Sequence, residues 1–159
     1  MTIRSTLTAG LCLAAASPFA AQAAAPQPAT GFYQAVAYIT AATPTGGCAL
    51  MGETVASTKT GVFYYPGASA TGAILSIADA ARGQIFQEIF SKTPAAGATT
   101  WKGSFKAGDD PGPYLTIPFT GKITYVDTHS FTAVQKATIT IGTDKCQISR
   151  NLVFILTGT

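Results

Sequence analysis

The sequence predicts an all-β fold: an antiparallel meander of about seven or eight strands, forming a small curled barrel or a two-sheet sandwich with one disulfide. Three observations lead there. Long stretches of the second half alternate apolar and polar residues with a period of two. Connectors rich in Gly, Pro and Asp separate those stretches. Charge is sparse: 11% of the 159 residues are charged and 47% are hydrophobic, a balance that builds a core and not a disordered chain.

The first half gives the weaker strand signals. Residues 32–41, 61–65 and 73–78 read as strands. Residues 84–91 are ambiguous, because Ile85, Phe86, Ile89 and Phe90 also fit one helical face. Gly83 and the flanking strands favour a hairpin, so this segment is assigned as strand. In the second half, Trp101, Gly103 and Phe105 alternate with Lys102, Ser104 and Lys106. Over 115–125 one face carries Leu115, Ile117, Phe119, Gly121, Ile123 and Tyr125, and the other carries Thr116, Pro118, Thr120, Lys122 and Thr124. Phe131, Ala133, Gln135, Ala137, Ile139 and Ile141 share the next inward row. Cys146, Ile148, Arg150, Leu152, Phe154 and Leu156 form the last.

A register follows from keeping apolar residues opposite one another, since a slip of one residue exchanges the faces. It pairs Tyr125 with Phe131 and Ile117 with Ile139 on one side. On the other it pairs Ile141 with Cys146 and places Arg150 opposite Ala137. Pro118 lacks a donor, so a bulge or a broken ladder is expected beside it.

Residues 1–23 read as a cleaved secretory signal: Arg4 supplies the positive start, residues 7–16 are apolar, and Ala21-Gln22-Ala23 fits an A-x-A cleavage site. Residues 24–30 then form a flexible Ala/Pro leader and 31–159 a single β-domain. The expected location is secreted or periplasmic. Cys12 leaves with the signal, and Cys48 and Cys146 remain as an even pair for a disulfide in an oxidising compartment.

Searching for chemistry mostly excludes it. The formal charge of +3 is small and scattered, which argues against a nucleic-acid partner. One histidine, His129, rules out a multi-histidine metal site, and no cofactor or metal is expected. Asp127, His129 and Ser130 crowd a turn too short to arrange nucleophile, base and orienter. Asp109-Asp110 lies in a Gly/Pro loop where turn geometry accounts for it. The motifs of metalloproteases, serine hydrolases and phosphate-binding loops are missing. A non-enzymatic chain is expected, and not a membrane-spanning one.

One residue breaks the pattern. Arg150 falls on an inward row, where a charge must be paired, hydrated or ligand-facing. A bulge or a side chain reaching water would bring it outward. Otherwise Arg150, Gln135 and Trp101 line a cavity in which a ligand group, or Glu88, answers the charge. In size and single disulfide the chain resembles exported eight-stranded barrels that hold small ligands, whose signature motifs it lacks. In its Thr/Ala/Gly-rich, low-charge character it resembles the subunits of chaperone-assembled pili. The first resemblance implies binding of a small molecule or surface ligand. The second implies a structural or adhesive cell-surface subunit assembling through a β-edge, with residues 32–41 as that edge.

Overall fold

A computed structural model of the chain describes residues 26–43, 48, 55–79, 84–109 and 113–159. The signal assignment over 1–23 and the start of the leader lie outside them. Eight strands follow one another: β1 (Gly31–Ala42), β2 (Thr58–Tyr65), β3 (Ala73–Asp79), β4 (Gln84–Phe90), β5 (Thr100–Asp109), β6 (Leu115–Tyr125), β7 (Ser130–Ile141) and β8 (Asp144–Gly158). Each pairs antiparallel with the next, and β8 returns to β1, giving a closed barrel. The ambiguous segment is strand β4, and the barrel is the architecture taken, not the sandwich.

Closure corrects one expectation. β1 pairs with β2 through residues 31–38 and with β8 through residues 32–42, so it offers no open edge for assembly.

The β6–β7 register is as expected from Tyr125 opposite Phe131 to Phe119 opposite Ala137, where the ladder stops, so Ile117 and Ile139 do not pair. The cause is Pro118. Ser104 turns its N–H and C=O toward Ser91. Its neighbour Gly103 therefore bonds across to Phe119, which leaves Pro118 facing β7 without a donor.

The β7–β8 register differs from expectation by two residues. Gly142 and Thr143 alone form the turn, with Gly142 at φ 60°, so Ile141 meets Asp144 and Ile139 meets Cys146. Arg150 consequently stands opposite Gln135, not Ala137. A two-residue hairpin needs positive φ, which glycine adopts without strain.

Inward residues fill the lumen. Tyr33, Phe63, Tyr65, Phe90, Trp101, Phe105, Phe119, Phe131 and Phe154 form a continuous aromatic pile, with Phe131 stacked on Phe154 at 4.5 Å. Eight strands enclose an interior just wide enough for side chains to fill. One end of the barrel is also covered. Pro28 is buried, and Ala29 donates to Thr128 O at 2.8 Å and accepts from the Tyr33 hydroxyl at 2.6 Å. Thr93 is buried too, accepting from Ala70 N and donating to Gly67 O, which ties two loops together beside Trp101. Cys48 and Cys146 form the disulfide, 98 residues apart in sequence.

Candidate functional site

Among the described residues, three polar side chains lie inside the apolar lumen: Gln135, Arg150 and Glu88, exposed by only 1%, 2% and 3%. β4 and β8 are four places apart in either direction around an eight-stranded ring, so Glu88 and Arg150 approach from opposite walls. Their meeting is bidentate. Arg150 donates Nη1–H to Glu88 Oε1 at 2.6 Å and Nη2–H to Glu88 Oε2 at 2.5 Å. Its Nε–H goes to Gln135 Oε1 at 2.6 Å, and its guanidinium carbon sits 5.5 Å from the centre of the Phe105 ring. Such a fork-to-fork arrangement is the strongest geometry open to an arginine–carboxylate pair.

Small neighbours make room for it. Glu88 is paired with Ala107 on β5, and Gln135 lies between Ala133 and Ala137 on β7. The charge predicted to be inward is therefore inward, and the group that answers it is Glu88. Sequence periodicity could not place Glu88, because the helical and strand readings of 84–91 put it on different faces.

The structure brings Arg150 and Gln135 together but places Trp101 within the ring pile, 4.7 Å from Phe90 and 5.3 Å from Phe119. Its indole N–H is spent on Lys92 O at 2.8 Å. One donor stays unmatched: Gln135 Nε2 is buried with no hydrogen-bond partner among the described residues.

Two concavities on the outer wall stand out among the described residues. The larger, about 410 Å³, opens where β6 and β7 part beyond Pro118, and is lined by Thr120, Lys136, Thr138, Gln147 and Ser149 with Phe119, Ala137 and Ile148 at its floor. That volume lies within the range of small-ligand sites. The smaller, about 290 Å³, lies over β1–β4 and is mainly apolar, lined by Phe32, Val62, Tyr64 and Ile74 with Ser76 and Gln87.

Three tyrosines near the barrel end covered by residues 28 and 29 have raised phenol pKa values. Burial pushes Tyr65 up to about 12, with Tyr125 and Tyr33 adding to it. Burial also raises Tyr33, helped by Asp127, and raises Tyr125. The Tyr125 hydroxyl is buried without a hydrogen-bond partner among the described residues.

The Asp127, His129 and Ser130 neighbours act as a turn. Asp127 Oδ1 accepts from the backbone N–H of His129 at 2.7 Å and from the Ser130 hydroxyl at 3.0 Å, which lowers the Asp127 pKa. The imidazole Nδ1 faces the Thr128 hydroxyl instead. Among the described residues no cluster of three His, Cys, Asp or Glu could hold a metal ion, and no helix is long and apolar enough to cross a membrane. Comparison with protein families, with curated proteins and with solved structures found no match to this chain.

Proposed function

We propose that this protein is an exported, non-enzymatic β-barrel that binds a small molecule or surface ligand on its outer wall, at the cleft between β6 and β7. The observation that carries the reading is the cleft itself: a concavity of mixed polar and apolar lining, beside one proline, in a barrel whose lumen holds packed rings and a cross-barrel ion pair. Export is supported by the signal-like residues 1–23 and by the Cys48–Cys146 disulfide. A non-catalytic role is supported by the engagement of two carboxylates, Glu88 with Arg150 and Asp127 within its turn. A place outside the bilayer is supported by Lys102, Lys106, Lys122 and Lys136, exposed on β5–β7 where a lipid-facing strand would be apolar.

The unmatched Gln135 Nε2 favours a second reading, in which a small polar ligand sits beside Gln135 and Arg150 in the lumen. One experiment separates them. Native mass spectrometry of the protein purified from its host is expected to show a copurified ligand. Ser149→Trp, which fills the cleft, should release that ligand, whereas Gln135→Leu should retain it. Retention by Ser149→Trp with loss in Gln135→Leu overturns the outer-wall site.

A further inference from the structure

Four of the exposed lysines lie on one wall of the barrel, while Lys92 and Lys145 are exposed elsewhere. Lys102 and Lys106 project from β5, Lys122 from β6 and Lys136 from β7, and all four are exposed. Two of them fall in one row across the sheet: Lys102 is opposite Thr120, and Thr120 is opposite Lys136. Lys122 lies two residues along the same face of β6. Strands stand about 4.8 Å apart, so Lys102 and Lys136 start about 10 Å from each other with a threonine hydroxyl between them. None of these four lysines forms an ion pair with a described residue, and no carboxylate occupies an outward position on β5, β6 or β7 among the described residues. Like charges this close raise the local potential and attract an anion that neutralises several at once.

Lys136 also lines the 410 Å³ cleft, together with Thr120, Thr138, Gln147 and Ser149. Charge and hydroxyl donors are thus continuous from the row into the concavity. We infer that this wall binds a linear acidic polysaccharide, its carboxylates on Lys102, Lys122 and Lys136 and one sugar unit seated in the cleft. The inference rests on the outer-wall reading above and names its ligand class.

Other polyanions fit less well. Single-stranded nucleic acid takes much of its affinity from bases stacked on aromatic rings, and no Trp, Tyr or Phe is exposed on the outward positions of β5–β7. An anionic membrane would gain from exposed apolar side chains beside the lysines. Among the described residues, only Val134, opposite Lys122, and Leu115, at the start of β6, are large exposed apolar side chains on β5–β7, and neither is aromatic; Phe32 and Tyr38 lie on β1. A flat hydroxyl-bearing sheet with spaced cations suits a stiff polymer that offers both carboxylates and hydroxyls.

The test uses the full mature protein and fluorescence polarisation with a labelled oligogalacturonate. Binding should weaken about tenfold in Lys102→Ala/Lys136→Ala, and should also fall as salt rises and screening shortens to about 8 Å and below. Thermal unfolding should be unchanged in that variant, which separates lost binding from lost fold. Neutral dextran of equal length should not compete. Competition by dextran at equal concentration, with loss in Ser149→Trp, overturns the acidic class while leaving the cleft as the site. Absence of oligogalacturonate binding, alongside binding to labelled single-stranded DNA or to phosphatidylglycerol vesicles, overturns the polysaccharide assignment. If Ser149→Trp and Lys102→Ala/Lys136→Ala both leave oligogalacturonate binding intact, the outer-wall site falls with it.

Discussion

At the scale of residues, the Arg150–Glu88 pair is a specificity device more than a source of stability. Removing two charges from water costs several kcal/mol per ion, and even good geometry does little more than offset that cost. Breaking the pair is another matter. Glu88→Gln leaves the buried guanidinium uncompensated and should lower unfolding stability by about 3–5 kcal/mol. The double variant Glu88→Leu/Arg150→Met should recover most of that loss in the same urea titration. A single variant as stable as the wild type would mean that the guanidinium finds water. Tyr65 gives a second test at this scale. Its phenol ionises at about 12 in the folded protein against an ordinary 10.0. The folded state holds the proton more tightly, so the contribution is fully present below pH 10 and is lost as pH rises through about 12. Wild-type stability should therefore fall more steeply than that of Tyr65→Phe across this window, measured by denaturant unfolding at each pH.

At the scale of elements, Pro118 explains both the broken ladder and the cleft. A residue with an N–H at this position can bond to Thr138 across the gap. Pro118→Val should extend the β6–β7 ladder, slow amide exchange at Thr138 and narrow the cleft, with weaker ligand binding as the functional readout. Unchanged exchange at Thr138 would assign the opening to the loop before β6 instead. The proline's effect was legible in the sequence because it depends only on a missing donor. The β7–β8 register was not. Alternation reports which face a residue is on, and a shift of two residues leaves every face unchanged. Only the turn distinguishes the two pairings, and Gly142-Thr143-Asp144-Lys145 accommodates a four-residue or a two-residue connection. The two-residue turn moved Arg150 from Ala137 to Gln135, and so created a hydrogen bond that the sequence alone left unassigned. Glu88 was obscured for a related reason. A seven-residue strand holding Ile85, Phe86, Ile89 and Phe90 carries too few residues to separate a period of two from one of 3.6.

At the scale of the whole molecule, the choice between barrel and sandwich was set by contacts far apart in sequence. Seven of the eight pairings join neighbouring strands. Closure joins β1 to β8, with Tyr33 opposite Leu156. Local alternation holds no record of that seam, and its chain-entropy cost is the largest of any pairing in the fold. The disulfide acts on that seam. Thr43, just past β1, donates its N–H to Gln147 O, and Gln147 sits next to Cys146. A crosslink from Cys48 to Cys146 therefore holds the end of β1 near the start of β8 even in the unfolded chain. Closing a loop of this length should stabilise the fold by roughly 4 kcal/mol on chain-entropy grounds. If the gain is entropic and closure forms in the folding transition state, it should appear in the folding rate, because the crosslink removes a search that precedes the barrier. Trp101 reports on this directly, as the sole tryptophan of the chain and a buried one. Stopped-flow fluorescence should show that Cys48→Ser/Cys146→Ser refolds more slowly than the oxidised protein, with a nearly unchanged unfolding limb. An accelerated unfolding limb with the same refolding rate would place closure after the barrier, making the β1–β8 seam the last part of the barrel to form.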